Sequence, residues 1–163
     1  MKKPTYKYLP LLFLIISTSL QSCIKENKLF NDDFEVKISQ ADSLLTKAKE
    51  DEALSLLKTI NIKEYESEPR LASYYILMSN VESPEPGIMI NHAKSALDMF
   101  ENNESVEQHK DLYFQSLVAN GDVYYRLKNF LKSLSFYLEA ENYIEGDSCK
   151  KGYLYIKICY NLL

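Results

Sequence analysis

The chain is poor in the residues on which most catalytic and metal sites depend. Its 163 residues include two histidines and three cysteines, and the CxxC or Cys/His spacings typical of zinc sites do not occur. With four glycines it has no glycine-rich phosphate loop, and no Gly-x-Ser-x-Gly elbow for a nucleophilic serine is present. We therefore predict no catalytic residue, no metal site and no cofactor, and we do not expect an enzyme.

The remaining candidates for chemistry have simpler explanations. His92 and His109 have no acidic or cysteine residue three or four positions further on, so neither forms a helical ligand pair and both are predicted to be solvated. Cys149 and Cys159 are ten residues apart, which is about 15 Å along a continuous helix. Because a disulfide requires a Cα separation below roughly 7 Å, we expect both thiols to be free.

Long hydrophobic runs are scarce as well. The apolar stretch from Leu9 to Leu20 has twelve residues, whereas a membrane-spanning helix needs about 20. The stretch follows three lysines and ends in Leu20-Gln21-Ser22-Cys23, so its length and flanks are those of a signal-peptide core. The segment resembles a bacterial lipoprotein signal, which implies that Cys23 is diacylated and becomes the mature N-terminus. An ordinary secretory signal, with Cys23 present by chance, is the alternative.

Cleavage before Cys23 would remove residues 1–22 and leave a strongly acidic chain. Three lysines are lost with this segment, so 16 basic residues remain against 23 acidic ones and the net charge is −7. A chain with this charge has no basic stripe, and no nucleic-acid partner is predicted. The resemblance implies a lipid-anchored protein of the bacterial cell envelope that faces the periplasm or the cell surface. The inner and the outer membrane both stay open.

The rest of the sequence has the pattern of a helical protein. Residues 23–33 form a polar tether that we predict to be flexible, and Val/Thr-rich alternating stretches bounded by turns are absent, so strands are not indicated. The 3.6-residue period of apolar positions predicts seven helices joined by short links, as in antiparallel helical hairpins. These helices cover residues 34–49, 51–61, 69–80, 87–102, 106–128, 130–145 and 150–163.

The hairpin at residues 114–147 carries the clearest repeat pattern. Small and large residues recur along its two helices at fixed spacing, in the order Leu117, Gly121, Tyr124, Ser133, Tyr137 and Ala140. Gly121 and Ser133 are small where packed helices approach most closely, and the two tyrosines fill the volume beside them. This pattern resembles the tetratricopeptide repeat (TPR), a unit of 34 residues. Lys128 stands where the repeat usually has a turn glycine, and Asn120 where it has leucine.

Two weaker copies precede this hairpin, one at residues 36–62 and one at residues 70–102. The resemblance implies an all-α fold over residues 34–163, with antiparallel hairpins stacked as a right-handed α-solenoid of about three repeats and a final unpaired helix. A generic helical bundle is the alternative. Repeat arrays normally end in a polar capping helix, whereas residues 156–163 are largely apolar. We therefore expect the array to be truncated at its C-terminus.

The resemblance also implies a function. Such arrays hold a peptide or partner protein in a concave groove lined by the first helix of each hairpin. Asn80, Asn120 and Arg126 are polar positions beside the packing stripe and are the candidate partner-binding residues. We thus predict a membrane-anchored protein–protein interaction scaffold. The alternative is the N-terminal sensory region of a larger transmembrane transcriptional regulator or histidine kinase.

Overall fold

The computed structural model describes residues 33–81, 85–100, 102–144 and 146–162. The predicted signal peptide, the lipidation site Cys23 and most of the tether lie outside these residues. The chain from Asp33 to Leu163 forms one compact unit. None of the helices described in this unit is long and apolar enough to cross a membrane.

The described residues form α-helices joined by short turns, with one 3-10 turn and no strand among them, which confirms an all-α fold. We number the α-helices in chain order. They are α1 (Asp33–Thr46), α2 (Glu50–Leu57), α3 (Leu71–Asn80), α4 (Pro86–Asp98), α5 (Asn103–Gln108), α6 (Lys110–Arg126), α7 (Phe130–Glu141) and α8 (Ser148–Leu162), and the 3-10 turn covers Ile62–Tyr65.

One predicted helix is divided in two. The apolar period runs through residues 106–128, but His109 leaves the helical region with φ −129° and ψ 37° and separates α5 from α6. The short α5 begins three residues before the predicted start because the side chain of Asn102 accepts a hydrogen bond from the backbone N–H of Ser105 at 2.9 Å. Pro86 occupies the first turn of α4, where its missing N–H and fixed φ cost little.

Helices that follow one another pack as antiparallel pairs. The three extensive pairs are α1 with α2, α3 with α4, and α6 with α7. The first helices of these pairs also contact each other in a row, α1 against α3 and α3 against α6. Each second helix packs on the next first helix, since α2 contacts α3, α4 contacts α6, and α7 contacts α8.

Two of the pairs close with the same turn. Ala48, after α1, and Lys128, after α6, have positive φ angles of 55° and 59°. In both turns the N–H of this residue donates to the carbonyl three residues earlier, and the next N–H donates to the carbonyl five residues before it. These two hydrogen bonds define the Schellman motif, whose left-handed position is usually glycine. Gly146 also has a positive φ, of 72°, but it lies beyond α7, which ends at Glu141.

Helices α6 and α7 are in close contact at Gly121. The hydroxyl of Ser133, which is fully buried, donates to the carbonyl of Gly121 at 2.8 Å. The ring of Tyr137 lies over the glycine, and a Cβ added to Gly121 would stand 2.6 Å from its Cδ1 and 2.9 Å from its Cζ. Leu117 and Ala140 are fully buried in the same core. This contact therefore leaves no room for a larger residue at position 121.

Candidate binding groove

The first helices of the three pairs line a concave groove. Two cavities of about 390 Å³ and 410 Å³ lie along it. Both are lined by Asp42 of α1, Asn80 of α3 and Asp122 of α6, so they are neighbouring parts of one groove. Helix α8 adds Tyr153 to the first cavity and Lys157 to the second. The groove follows from the row of first helices, because each helix presents one face to it.

The floor of the groove is apolar. The first cavity is lined by Ile38 of α1, Ile76 of α3 and Val118 of α6. Phe114, near the N-terminal end of α6, lines it as well. Ile76 and Val118 are 9% and 7% exposed, so they pack between helices and present only an edge to the groove. The shape and lining are those of a surface that can bury an apolar side chain.

Exposed polar side chains border this floor. Glu35 and Asp42 project from α1, Asn80 from α3 and Gln115 from α6. The side chains of these four residues make no hydrogen bond or ion pair within the part of the chain that the structure describes. They are therefore available to a ligand. Asn80 was predicted from the sequence as a partner-binding residue, and it borders both cavities.

A charged cluster closes the groove where α6, α7 and α8 meet. Lys157 Nζ of α8 donates to both carboxylate oxygens of Asp122, at 2.7 and 2.8 Å. The hydroxyl of Tyr137 donates to the same carboxylate at 2.5 Å, and the ammonium lies 5.0 Å from the centre of the Tyr153 ring. The cluster links α8 to the α6–α7 pair, and Lys157 is paired with Asp122 within the fold.

The pKa values in this cluster reflect burial and pairing. Burial, and then the hydrogen bond to Asp122, raise the pKa of Tyr137 above its ordinary value. For Lys157 the largest single effect is burial, which lowers the pKa. The charges of Asp122 and Tyr153 and their hydrogen bonds to the ammonium act in the opposite direction and together outweigh burial, so the pKa is raised. At neutral pH the lysine is thus charged and the tyrosine protonated.

Arg126 lines the second cavity, and its guanidinium is hydrogen-bonded to the backbone of α3. Its guanidinium donates to the backbone carbonyls of Ser79 and Asn80, the second of these at 3.2 Å. These carbonyls belong to the last turn of α3, where a positive charge also interacts favourably with the helix dipole. Arg126 therefore caps α3, and its role in partner binding stays a prediction, since its side chain also lines the second cavity.

Asn120, the third polar residue indicated by the sequence, is buried between α4 and α6. It is 3% exposed, and its amide nitrogen donates to the carbonyl of Ala93 at 2.6 Å and to that of Ser116 at 2.9 Å. An amide used in this way offers nothing to a ligand. Asn120 is therefore not exposed in the groove, and its side chain links α6 to α4 by a hydrogen bond.

His92 and the two described cysteines lie outside the lining of both groove cavities. His92 packs on Tyr75 with ring centroids 6.1 Å apart, and burial lowers its pKa. Within the described ranges there is no group of three His, Cys, Asp or Glu side chains that could hold a metal ion. Cys149 and Cys159 are free and exposed.

Three groove residues, Glu35, Asp42 and Gln115, were not predicted from the sequence. A signal for the first two was present, because Glu35, Ile38 and Asp42 follow one another at i, i+3 and i+7 and so share one face of a helix. Which face of α1 is covered depends on α2 and α3, and the periodicity of α1 alone does not show this.

The chain was also compared with known proteins. No protein-family model, no curated protein and no solved structure matches it. The assignment of a function therefore rests on the residues of the groove and on the packing of the helices.

Proposed function

We propose that this chain is a lipid-anchored helical scaffold of the TPR type that holds a peptide or a partner protein in its groove. The observation that carries the proposal is the row of first helices α1, α3 and α6, whose shared face combines an apolar floor with exposed polar side chains that have no partner in the described residues. Recognition in such a groove needs positioned contacts and no reacting group.

Three features of the packing support a repeat array. The turns at Ala48 and Lys128 have the same backbone hydrogen bonds and the same left-handed residue, 80 positions apart. Each second helix, together with the turn that follows it, buries residues at i, i+4 and i+7. In chain order these sets are Ala53, Leu57 and Ile60; Met89, Ala93 and Ala96; and Ser133, Tyr137 and Ala140. Each second helix also packs on the following first helix, as in a stacked array whose units contact only their neighbours.

A crosslinking experiment tests the binding role. A photo-reactive amino acid replaces Ser39, which is exposed in the groove on α1, and the protein is irradiated in the cells that produce it. The matched control is Ser55, an exposed serine on the second helix of the same pair. We expect a discrete adduct from position 39 and none from position 55. Equal adducts from both positions, or an adduct from position 55 alone, would place binding outside the groove.

The membrane anchor is part of the proposal and is tested separately. The short apolar segment and the Leu-x-Ser-Cys ending support lipidation at Cys23. Two or more acyl chains hold a protein stably on a bilayer, whereas a single chain holds it marginally. Intact-mass analysis of membrane-extracted protein should show the loss of residues 1–22 and a gain of acyl mass. Cys23→Ala should abolish both changes, and an unacylated N-terminus elsewhere would contradict this part of the proposal.

Helix α8 favours a second candidate, the sensory region of a larger regulator. It exposes Ile156 and Tyr160, which lie four residues apart on one face, with exposed fractions of 58% and 60%. A further helical hairpin packed on α8 would cover them. An immunoblot of native cells with an antibody against α6 and α7 distinguishes the two functions. A band well above 18.9 kDa supports the regulator, and one at or below this mass supports the scaffold.

A further inference from the structure

We propose that the ligand of the groove is a basic segment with two cationic side chains about 10 Å apart and an apolar side chain between them. The inference rests on the proposed function, since it names the chemistry of the partner that the groove would hold. Three properties of the groove support it: its charge, the spacing of its acidic residues and the position of its apolar floor.

The basic side chains of the groove have partners within the fold, whereas two of its acidic side chains have none among the described residues. The cationic groups that line the two cavities are Arg126, held by the carbonyls of α3, and Lys157, held by Asp122. Two carboxylates, those of Glu35 and Asp42, are exposed and have no partner among the described residues. Both cationic groups line the second cavity, whereas the described lining of the first cavity contains Glu35 and Asp42 and no lysine, arginine or histidine. The first cavity therefore presents negative charge to a ligand, so cationic side chains are favoured there and acidic ones are repelled.

The spacing of the two carboxylates sets the spacing of the cations. Glu35 and Asp42 are seven residues apart on α1, which is about two helical turns or roughly 10 Å along the axis. They project from the same face of the helix. In the polyproline II conformation, which has three residues per turn and rises about 3.1 Å per residue, side chains three positions apart project from the same side and span about 9 Å. A segment of the form basic-x-x-basic therefore matches the distance.

An apolar contact lies between the two carboxylates. Ile38 stands one turn from each on the same face of α1, and Ile76 and Val118 continue the apolar floor across α3 and α6. Exposed ion pairs contribute little free energy. Burial of the central apolar residues of the ligand therefore supplies most of the affinity, and the two ion pairs select the ligand by charge.

The experiment uses the full-length protein in a non-ionic detergent and three capped, fluorescently labelled peptides. Their central sequences are Lys-Leu-Leu-Lys, Gln-Leu-Leu-Gln and Glu-Leu-Leu-Glu. Fluorescence anisotropy at low ionic strength gives the affinities, and amide chemical shifts show where each peptide binds. We expect the lysine peptide to bind most tightly, to shift the amide of Ser39, and to bind more weakly as salt screens the exposed charges.

A matched pair of variants separates groove charge from net charge. Glu35→Gln/Asp42→Asn removes the two groove carboxylates and should weaken binding of the lysine peptide about tenfold, because two exposed ion pairs are lost. Glu66→Gln/Asp98→Asn changes the net charge equally at exposed residues that do not line either cavity, and should change binding less than twofold. All four side chains are exposed, so both variants should fold.

The outcomes are distinguishable. Equal weakening by both variants, equal affinity of the three peptides, or no binding of the lysine peptide would overturn the basic-segment inference. If the glutamine peptide binds equally well and still shifts the amide of Ser39, the groove binds peptides without regard to charge and the proposed function stands. If chemical shifts change only on the outer faces of α2, α4 and α7, the groove is not the binding surface and both proposals fail.

Discussion

Gly121→Ala adds a single methyl group at the contact between α6 and α7, and we expect it to destabilise the protein. The new Cβ would stand 2.6 Å and 2.9 Å from two atoms of the Tyr137 ring, whereas carbon atoms in contact prefer about 3.5–4.0 Å. The ring is 1% exposed and its hydroxyl is held by Asp122 at 2.5 Å. To relieve the clash, the ring would have to move by roughly 1 Å against packed neighbours.

The magnitude follows from three opposing effects. Overpacking of a core by one methyl group costs about 2 kcal/mol. Displacement of the tyrosine hydroxyl from a charged acceptor adds about 1.5 kcal/mol. The higher helix propensity of alanine offsets about 1 kcal/mol. We therefore expect the free energy of unfolding to fall by about 2.5 kcal/mol, which for a domain of this size lowers the melting temperature by roughly 8–10 °C.

Gly152→Ala is the matched control. Gly152 is also inside a helix, α8, but a Cβ added there has no atom within 4 Å. Only the propensity effect remains, so this variant should be more stable than the parent by about 0.5–1 kcal/mol. The same substitution at two helical glycines is thus expected to have opposite signs.

Urea unfolding followed by circular dichroism measures both variants. A third variant identifies the cause, because in a Tyr137→Leu background the ring is gone and the added methyl at position 121 should no longer destabilise. Should Gly121→Ala match or exceed the stability of the parent, or should it cost as much in the Tyr137→Leu background, the close contact of α6 and α7 would not be the reason for the glycine.

Three further predictions concern the turns and the charged cluster. Lys128→Gly should stabilise the protein by about 0.5–1 kcal/mol in urea unfolding, because position 128 has a positive φ. Lys94→Gly, in the interior of α4, should destabilise it by about the same amount. A loss of stability at position 128 would contradict the left-handed turn. Asp122→Asn should lower stability by about 1–3 kcal/mol and accelerate amide exchange in α8, since the side chains of Asp122 and Lys157 are only 23% and 28% exposed; unchanged exchange would refute the anchoring role. The pKa of Tyr137 is raised in the folded state. The stability that comes from this shift is therefore complete below the unfolded pKa of about 10 and is lost as the pH rises through the folded pKa. The free energy of unfolding should fall above about pH 10, and it should fall less steeply in Tyr137→Phe.

The sequence was most informative where the physics is local. Apolar positions at 3.6-residue spacing predicted the helices because an amphipathic helix must bury one face whatever covers it. Asn102 caps α5 through a residue three positions away, so this helix start was visible in principle, although the apolar period that continues across His109 concealed it. The turn at Lys128 was expected from a local pattern that usually has glycine, and the observed φ is 59°.

The groove depended on contacts between distant residues. Asn120 and Arg126 appear in the sequence as polar residues of an amphipathic helix, suited to a surface. Their partners, the carbonyl of Ala93 and the carbonyls at the end of α3, are 27 to 47 residues away. No spacing rule connects residues so far apart. The amide of Asn120 is satisfied inside the fold, whereas two of the five N–H groups of the Arg126 guanidinium are used to cap α3.

The sequence by itself determined the helical class, the positions of most helices, the acidic balance and the scarcity of residues for catalysis, since each follows from composition or from periods of a few residues. Only the tertiary structure decided which polar side chains the groove leaves without a partner. Packing of α3 and α6 beside α1 turned Glu35 and Asp42 toward a shared cavity, while it consumed Asn120 and Arg126 as structural hydrogen-bond donors. The physical reason is that a polar group buried or held by packing must find a partner within the fold, and the partner is set by which helices meet.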